Sequence, residues 1–366
     1  MTERPALAVG LMSGTSLDGM DAALVRLHGP TSVDLVGFAT VPYSSEERAR
    51  LERAITSGGT RELALLHGAL GDWAVRAVQQ LLDTCHVRAS DLEFIAFHGQ
   101  TIWHEPPAVT WQLGEPAVLA EAFGCRVVSS FRARDVAAGG QGAPLVPIAD
   151  VLLFGGEGPR ILLNLGGMAN LTWVARRAEE EGAFAFDTGP GMALIDGLAR
   201  RIDPATPFDV DGALAARGRV DETLLAELLA DPYFDRPPPK STGREHFGAE
   251  LVDRIARELP GPDGVATAVE LTARSVAAAI ERFTPDPTEV VVAGGGRRHP
   301  ALMRSLSARL APRPVLTFDR LFFDGDAKEA VAFALIGYLT VHGQPGNLRG
   351  ATGARGRRVL GVVTPA

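Results

Sequence analysis

A run of three strand-like segments followed by helix-like ones occurs twice in this chain, and that recurrence restricts the fold more than any other feature. Ala6–Met12, Met20–Leu27 and Val33–Val41 read as a three-strand meander, followed by helical patterns over Ser45–Thr56 and Arg61–Cys85. Glu93–Phe97 then reads as a buried strand that ends at His98-Gly99. A second cycle begins near Pro144. Ile161–Leu165 and Leu171–Val174 are strands joined by a Gly166-Gly167 turn, Phe184–Asp187 is a third, and helical patterns cover Asp221–Leu229, Gly248–Leu259 and Val265–Phe283. The strand Val290–Ala293 runs into a Gly294-Gly295-Gly296 turn. Two such halves in 366 residues predict a duplicated α/β architecture in two domains, since single cores rarely grow past about 250–300 residues. The expected domains are residues 1–143 plus 344–366, and residues 144–343. The glycine-rich Gly343–Gly356 serves as the crossing loop, and Val359–Val363 adds a strand to the first domain.

The first meander turns through Ser13-Gly14-Thr15-Ser16-Leu17-Asp18-Gly19-Met20-Asp21, where glycines, hydroxyls and two carboxylates interrupt apolar runs. Asp18-Gly19 is a hairpin-turn signal. A tip of this composition wraps a phosphate with N–H groups and hydroxyls while a carboxylate holds a hydrated cation, which points to phosphoryl transfer. An ordinary hairpin with an Asp-Gly turn is the alternative. No Gly-x4-Gly-Lys-Ser/Thr loop occurs, and no GxGxxG opens a helix after a strand, so P-loop and Rossmann readings fall away.

Further blocks follow in order: His98-Gly-Gln100-Thr101, Ala138-Gly139-Gly140-Gln141-Gly142-Ala143-Pro144-Leu145, Asn164-Leu-Gly166-Gly167-Met-Ala-Asn170, Phe186-Asp187-Thr188-Gly189-Pro190-Gly191, Pro239-Lys240-Ser241-Thr242-Gly243-Arg244-Glu245 and Pro345-Gly346-Asn347-Leu348. Together with the first tip they resemble the anhydro-N-acetylmuramic acid kinases, of the actin, hexokinase and Hsp70 superfamily, over nearly the whole chain. The resemblance implies a two-domain actin-like ATPase fold of duplicated ribonuclease H-like domains with a central cleft. Its ligands would be ATP, Mg2+ and an anhydro-amino sugar. Two departures stand out. Met192 and His299 occupy positions where the family usually has Asn, which removes whatever contacts those side chains would make.

The resemblance also assigns roles. Ser13 to Asp21 and Asn164, Gly166 and Gly167 would clamp the phosphates, Gly294, Gly295 and Gly296 would pack against adenosine, and Asp18 would hold waters of Mg2+. Asp21 reads otherwise as a hairpin support. His98, Gln100, Thr101 and Arg132 would bind the sugar, Arg132 through its lactyl carboxylate. Glu329 would contact sugar hydroxyls, although an acidic residue in a first helical turn also has a dipole explanation. Asp187, at the end of an apolar strand, would be the base that activates water, with a turn or capping role as its alternative. Asp196 reads as a surface or interdomain residue. A glycoside hydrolase using Asp187 and Glu329, or a non-catalytic nucleotide-dependent glycan sensor, are the rival functions.

A formal charge of −8 argues against nucleic acid as a partner. Cys85 and Cys125 have neither disulfide-framework nor zinc spacing, and His98 and His104 read as hydrogen-bonding groups. No segment approaches 18 uninterrupted apolar residues and the N-terminus lacks a signal-peptide pattern, so a cytoplasmic location without membrane partners is expected, and a homodimer is left open. Lys240 and Lys328 are the only lysines; a compact ammonium suits phosphate contact, with a chance placement in these blocks as the alternative.

Overall fold

The computed structural model describes residues 4–14 and 16–366; the expected phosphate ligand Thr15 lies outside them. The chain divides into two compact α/β units, one of residues up to Leu153 plus Ala327–Ala366 and one of Phe154–Asp326.

In the first unit, β1 (Ala6–Ser13), β2 (Gly19–Leu27) and β3 (Val33–Pro42) form the expected antiparallel meander. Parallel to β1 lies β4 (Phe94–Glu105), hairpinned to β5 (Val109–Leu113); β6 (Arg126–Ser129) continues the sheet beyond it. In the second unit, β7 (Arg160–Leu165), β8 (Met168–Val174) and β9 (Phe184–Pro190) form another antiparallel meander. Parallel strands β10 (Glu289–Ala293) and β11 (Val315–Thr317) extend it from β7. The sheet orders are therefore β3-β2-β1-β4-β6, with β12 (Val362–Thr364) at the far edge, and β9-β8-β7-β10-β11. The duplication expected from the alternation is a duplication of strand order and direction.

Each sheet is buried by helices with apolar faces. Thr60–Cys85 places Leu66, Leu70, Trp73, Ala77 and Leu81 on the first sheet, while Val265, Val269 and Val276 of Pro262–Phe283 enter the second core. Helix Lys328–Val341 is buried almost throughout, which follows from its apolar composition. It packs on β1, β2 and β4 of the first unit. Its backbone touches the sheet: a Cβ on Gly10 would lie 1.9 Å from the Ala330 carbonyl oxygen. The helix therefore belongs to the first unit, and the chain leaves the second at Asp326, ahead of the glycine-rich segment expected to make the crossing.

Two local expectations are also corrected. β4 does not end at His98-Gly99 but runs on to Glu105. Gly99 takes φ +73°, and its missing side chain admits the Leu113 carbonyl oxygen, 2.4 Å from where a Cβ would be. Gly19 is a strand residue paired with Pro42, so among the described residues the turn falls on Gly14 and residues 16–18, where Leu17 adopts φ +54°. The glycine of the Asp-Gly pair is needed for packing, since its Cβ would come 2.6 Å from the Val41 carbonyl. Among the described residues, no helix is long and apolar enough to cross a membrane.

Candidate active site

In the first unit the β1–β2 tip is tied down from behind. Ser13 Oγ donates to Gln100 Oε1 at 2.5 Å and lies 2.6 Å from the Tyr43 hydroxyl. Gln100, fully buried, also donates to the Thr101 carbonyl at 3.3 Å, so it links the tip to β4. Beyond this anchor Ser16 donates to the exposed Asp18 carboxylate at 2.7 Å. Asp21 accepts from Thr40 Oγ1 at 2.5 Å, in keeping with hairpin support. A Cβ on Gly14 would meet only Ser16 Oγ, at 3.8 Å.

His98, Arg132 and Glu329 come together in the same unit. Arg132 donates from Nε to His98 Nε2 at 2.9 Å and from Nη1 to the Gly142 carbonyl at 2.8 Å. Because His98 Nδ1 lies 2.7 Å from the Gly99 carbonyl, the proton sits on Nδ1 and Nε2 is the acceptor. Burial and the Arg132 charge keep this imidazole neutral, its pKa well below the usual range. Burial lowers Arg132 to about 10, against Glu329 and Asp135, which favour its charge. Glu329 is pushed up by burial and held down by Lys328 and Arg132. The Phe333 ring backs His98 at 4.5 Å and Arg132 at 5.9 Å. Thr101 accepts from Gln112 at 3.3 Å, apart from these bonds.

Asp135 explains the glycine loop and the Pro-Gly-Asn block together. Fully buried, it accepts from Gly142 N at 2.8 Å, Asn347 Nδ2 at 2.7 Å and Thr352 Oγ1 at 2.8 Å. The C-terminal segment thus fixes Gly142, whose carbonyl holds Arg132.

In the second unit the β7–β8 tip is a bare Gly166-Gly167 turn. Its carbonyls accept from Gly191, Met192 and Ala193 N–H at 2.8–3.1 Å, which satisfies the start of helix Met192–Ile202. A Cβ would fit at Gly166, with Asn164 Nδ2 3.4 Å away, and at Gly167, with Arg244 Nη2 3.8 Å away. The three later glycines differ: a Cβ at Gly294 or Gly296 would come within 2.7 or 2.6 Å of Leu165, whereas Gly295 faces open space. Packing against β7 therefore accounts for two of them. Met192 Sδ also lies beside Gly296, 3.1 Å from its Cβ position, and His299 caps helix Pro300–Leu310 through Leu302 N while its Nε2 lies 3.2 Å from Asp209.

Asn164, Asn170 and Asp187 are cross-strand partners, a polar row one step behind the tip. Asp187 Oδ2 accepts from Thr242 N at 2.9 Å, its N–H donates to Lys240 O at 3.1 Å, and its carbonyl accepts from Tyr233 Oη at 2.7 Å. Burial raises its pKa to about 6, opposed by the Thr242 N–H and assisted by Glu245. Lys240 is engaged elsewhere than expected. Its ammonium sits among Tyr233, Phe283 and Phe186, at 4.7, 4.8 and 5.8 Å, and donates to the carbonyls of Tyr233 and Phe234. Burial and the Arg236 and Arg282 charges lower it to about 8. Lys328 pairs with Asp150 at 2.6 Å. Asp196 is not a plain surface residue, because its Oδ1 is buried without a hydrogen-bond partner among the described residues.

Sequence reasoning places Asn170 at the end of the second glycine hairpin and Thr242 within the Pro239–Glu245 block, but gives neither a position beside Asp187. The alternation of β8 does carry a signal for Asn170, since an amide stands on the half-buried face. Nothing local marks Thr242, which acts through its backbone. Among the described residues, no group of three or more His, Cys, Asp or Glu side chains is arranged to hold a metal ion.

The profile of a family described as anhydro-N-acetylmuramic acid kinase matches residues 6–366. Proteins of that name are similar to this chain in Gloeobacter violaceus (46% identity, 99% of each chain), Xanthomonas axonopodis pv. citri (44%, 98% of each) and Rhizorhabdus wittichii (42%, 95% of each). Among solved structures, component A of the Acidaminococcus fermentans (R)-2-hydroxyglutaryl-CoA dehydratase aligns with a TM-score of 0.48 at 12% identity, over 90% of this chain and 96% of that one. A ROK family glucokinase from Streptomyces griseus aligns with a TM-score of 0.40 at 13% identity, over 90% and 98%.

Proposed function

This chain belongs to the anhydro-N-acetylmuramic acid kinase family, and from that premise we propose the reaction it performs and the residues that carry it. It is an ATP-using kinase that acts on a small sugar. The proposed sugar is 1,6-anhydro-N-acetylmuramic acid, a product of cell-wall turnover, converted to N-acetylmuramic acid 6-phosphate in the cytoplasm, where ATP is at hand.

The chemistry is constrained by the substrate. O6 is bonded to C1, so no free hydroxyl exists until the anhydro bridge opens. Asp187 takes a proton from water as the water oxygen bonds to C1, the C1–O6 bond breaks, and O6 forms a bond to the γ-phosphorus as ADP departs. Asp187 then releases the proton to solvent. An inverting glycosidase needs a second carboxylic acid for its leaving oxygen, whereas here the phosphoryl group receives it. Hydrolysis and transfer are thereby one coupled event.

The observation that carries this reading is the state of Asp187. Its carboxylate accepts one backbone hydrogen bond, and burial brings its pKa to about 6, so it is ionised at neutral pH yet more basic than an exposed aspartate. Tyr233, Lys240 and Thr242 hold its strand, backbone and one oxygen, leaving Oδ1 for water. Arg132, His98 and Glu329 are assigned to the sugar, with Gln100 and Thr101 supporting them. The tip residues Ser13–Asp21, together with Asn164, Gly166 and Gly167, are assigned to the phosphates, and Gly294–Gly296 to the adenosine. The hard oxygen donors around Asp18 fit the water shell of Mg2+, which would neutralise phosphate charge during transfer.

The test is ADP release measured with the anhydro sugar, beside N-acetylmuramic acid and N-acetylglucosamine, in 18O-labelled water. Label at C1 and none in the phosphate is expected. Label in the phosphoryl group means direct ATP hydrolysis and defeats the coupled scheme, and sugar opening without ATP would identify a glycoside hydrolase.

A further inference from the structure

The segment that fixes Asp187 continues, two residues past Thr242, to an arginine with no assigned task. Arg244 is exposed, and its guanidinium makes no hydrogen bond or ion pair with a described residue. It is not pointed at random. Its Nη2 and Nε lie 3.8 and 3.9 Å from the position a Cβ would take on Gly167, so it stands over the bare glycine tip. Asp196, the carboxylate whose Oδ1 is buried without a hydrogen-bond partner among the described residues, feels the charge of Arg200 first and that of Arg244 least, and bonds to neither. Here the guanidinium keeps its hydrogen-bonding capacity unused over a turn where nothing in the fold demands glycine.

The geometry points to Arg244 as a catalytic residue that binds the transferring γ-phosphoryl group. The inference rests on the assignment of the ATP phosphates to the Gly166-Gly167 tip. As O6 leaves C1 and bonds to phosphorus while the bond from phosphorus to the β,γ-bridging oxygen breaks, charge spreads over the phosphoryl oxygens and the departing ADP. A planar fork of donors suits those oxygens. Because Thr242 bonds the Asp187 carboxylate and Arg244 overlies the tip, one short segment would couple the base that opens the sugar to the group that accepts O6.

Arg244→Ala should fold as the wild type does, since the side chain is exposed and unbonded, and a thermal melt checks this. We expect kcat to fall by at least ~10²-fold, in the range seen when a donor to a developing oxyanion is removed. ADP binding by calorimetry should weaken less than about threefold. The diagnostic readout is binding of ADP with aluminium fluoride, a mimic of the transferring group, in the presence of the sugar. The variant should lose at least ~10²-fold in affinity for the mimic, and added guanidinium should restore part of kcat. A kcat within threefold of wild type, equal losses for ADP and the mimic, or no rescue by guanidinium would each overturn the role. Gly166→Val separates the underlying assignment: if ADP binds it as tightly as wild type, the tip is not the phosphate site and that reading fails on its own.

Discussion

The two sheets share an order of strands but have put the same row to different uses. One step behind the first tip, β1, β2 and β3 align Met12, Asp21 and Thr40; one step behind the second, β7, β8 and β9 align Asn164, Asn170 and Asp187. Each row holds one carboxylate. In the first, Asp21 is satisfied by the exposed Thr40 hydroxyl at the sheet's wet edge, and the hairpin gains a cross-strand tie. In the second, Asp187 is enclosed by Tyr233, Lys240 and Thr242, with a single backbone donor on its carboxylate. The scaffold is therefore indifferent to where reactivity resides. What distinguishes the proposed base from the strut is how much water and how many donors the surrounding loops allow.

The sharpest way to break the comparison is Asp187→Asn. The amide keeps size and hydrogen bonding but cannot take a proton, so kcat should drop ~10²–10⁴-fold with ATP and sugar still bound. More than about a tenth of wild-type kcat would remove Asp187 from the mechanism.

The glycines provide the next contrast. Gly14→Val and Gly166→Val have room in the fold, so both should melt near the wild-type temperature while ATP affinity falls ~10-fold or more and sugar affinity stays. Gly191→Val should fail to fold, because its Cβ would lie 2.3 Å from the Gly166 carbonyl. Equal loss of both ligands in the first two would assign those glycines to architecture.

A third contrast is in pH. Since burial raises Asp187 to about 6 from 3.8, kcat/KM should fall as pH drops through 6, and this acid limb should be missing from the residual activity of Asp187→Asn. The sign for stability is opposite to that of a salt-bridged aspartate. A raised native pKa means that the folded protein resists ionisation, so Asp187→Asn should melt higher than wild type above pH 6, with the gap closing as pH falls toward 4. The smallest effect is expected at the equivalent strut. Thr40→Val removes an exposed hydrogen bond and should cost about 0.5 kcal/mol in a denaturant titration, with unchanged kcat.

Much of this organisation is legible in the chain. Strand meanders declare themselves because β1, β2, β7 and β8 are apolar runs broken by glycine-bearing tips, and Asp187 is visible as a carboxylate closing the run Phe184–Phe186. What escaped depends on distant partners. The continuation of β4 beyond Gly99 relies on Leu113, which a local pattern cannot supply. The chain crossing was placed too late because glycine content marks flexible backbone, whereas membership of a unit is decided by the sheet on which Lys328–Val341 is buried. Lys240 looked apt for phosphate by charge alone; the aromatic side chains around it come from three separate segments. The bonds that hold Arg132 in place, to His98 and to the Gly142 carbonyl, likewise come from distant segments and leave its Nη2 donors unused.

The contact between Gly10 and the Ala330 backbone also has a consequence for synthesis. Residues 154–326 are contiguous, so the second unit is fully made while the first still lacks the helix that covers its sheet. A nascent chain thus carries an open apolar surface on β1, β2 and β4 through some 170 residues of translation, at roughly 5–20 residues per second. The half that begins first finishes last, and β1 waits for the helix Lys328–Val341.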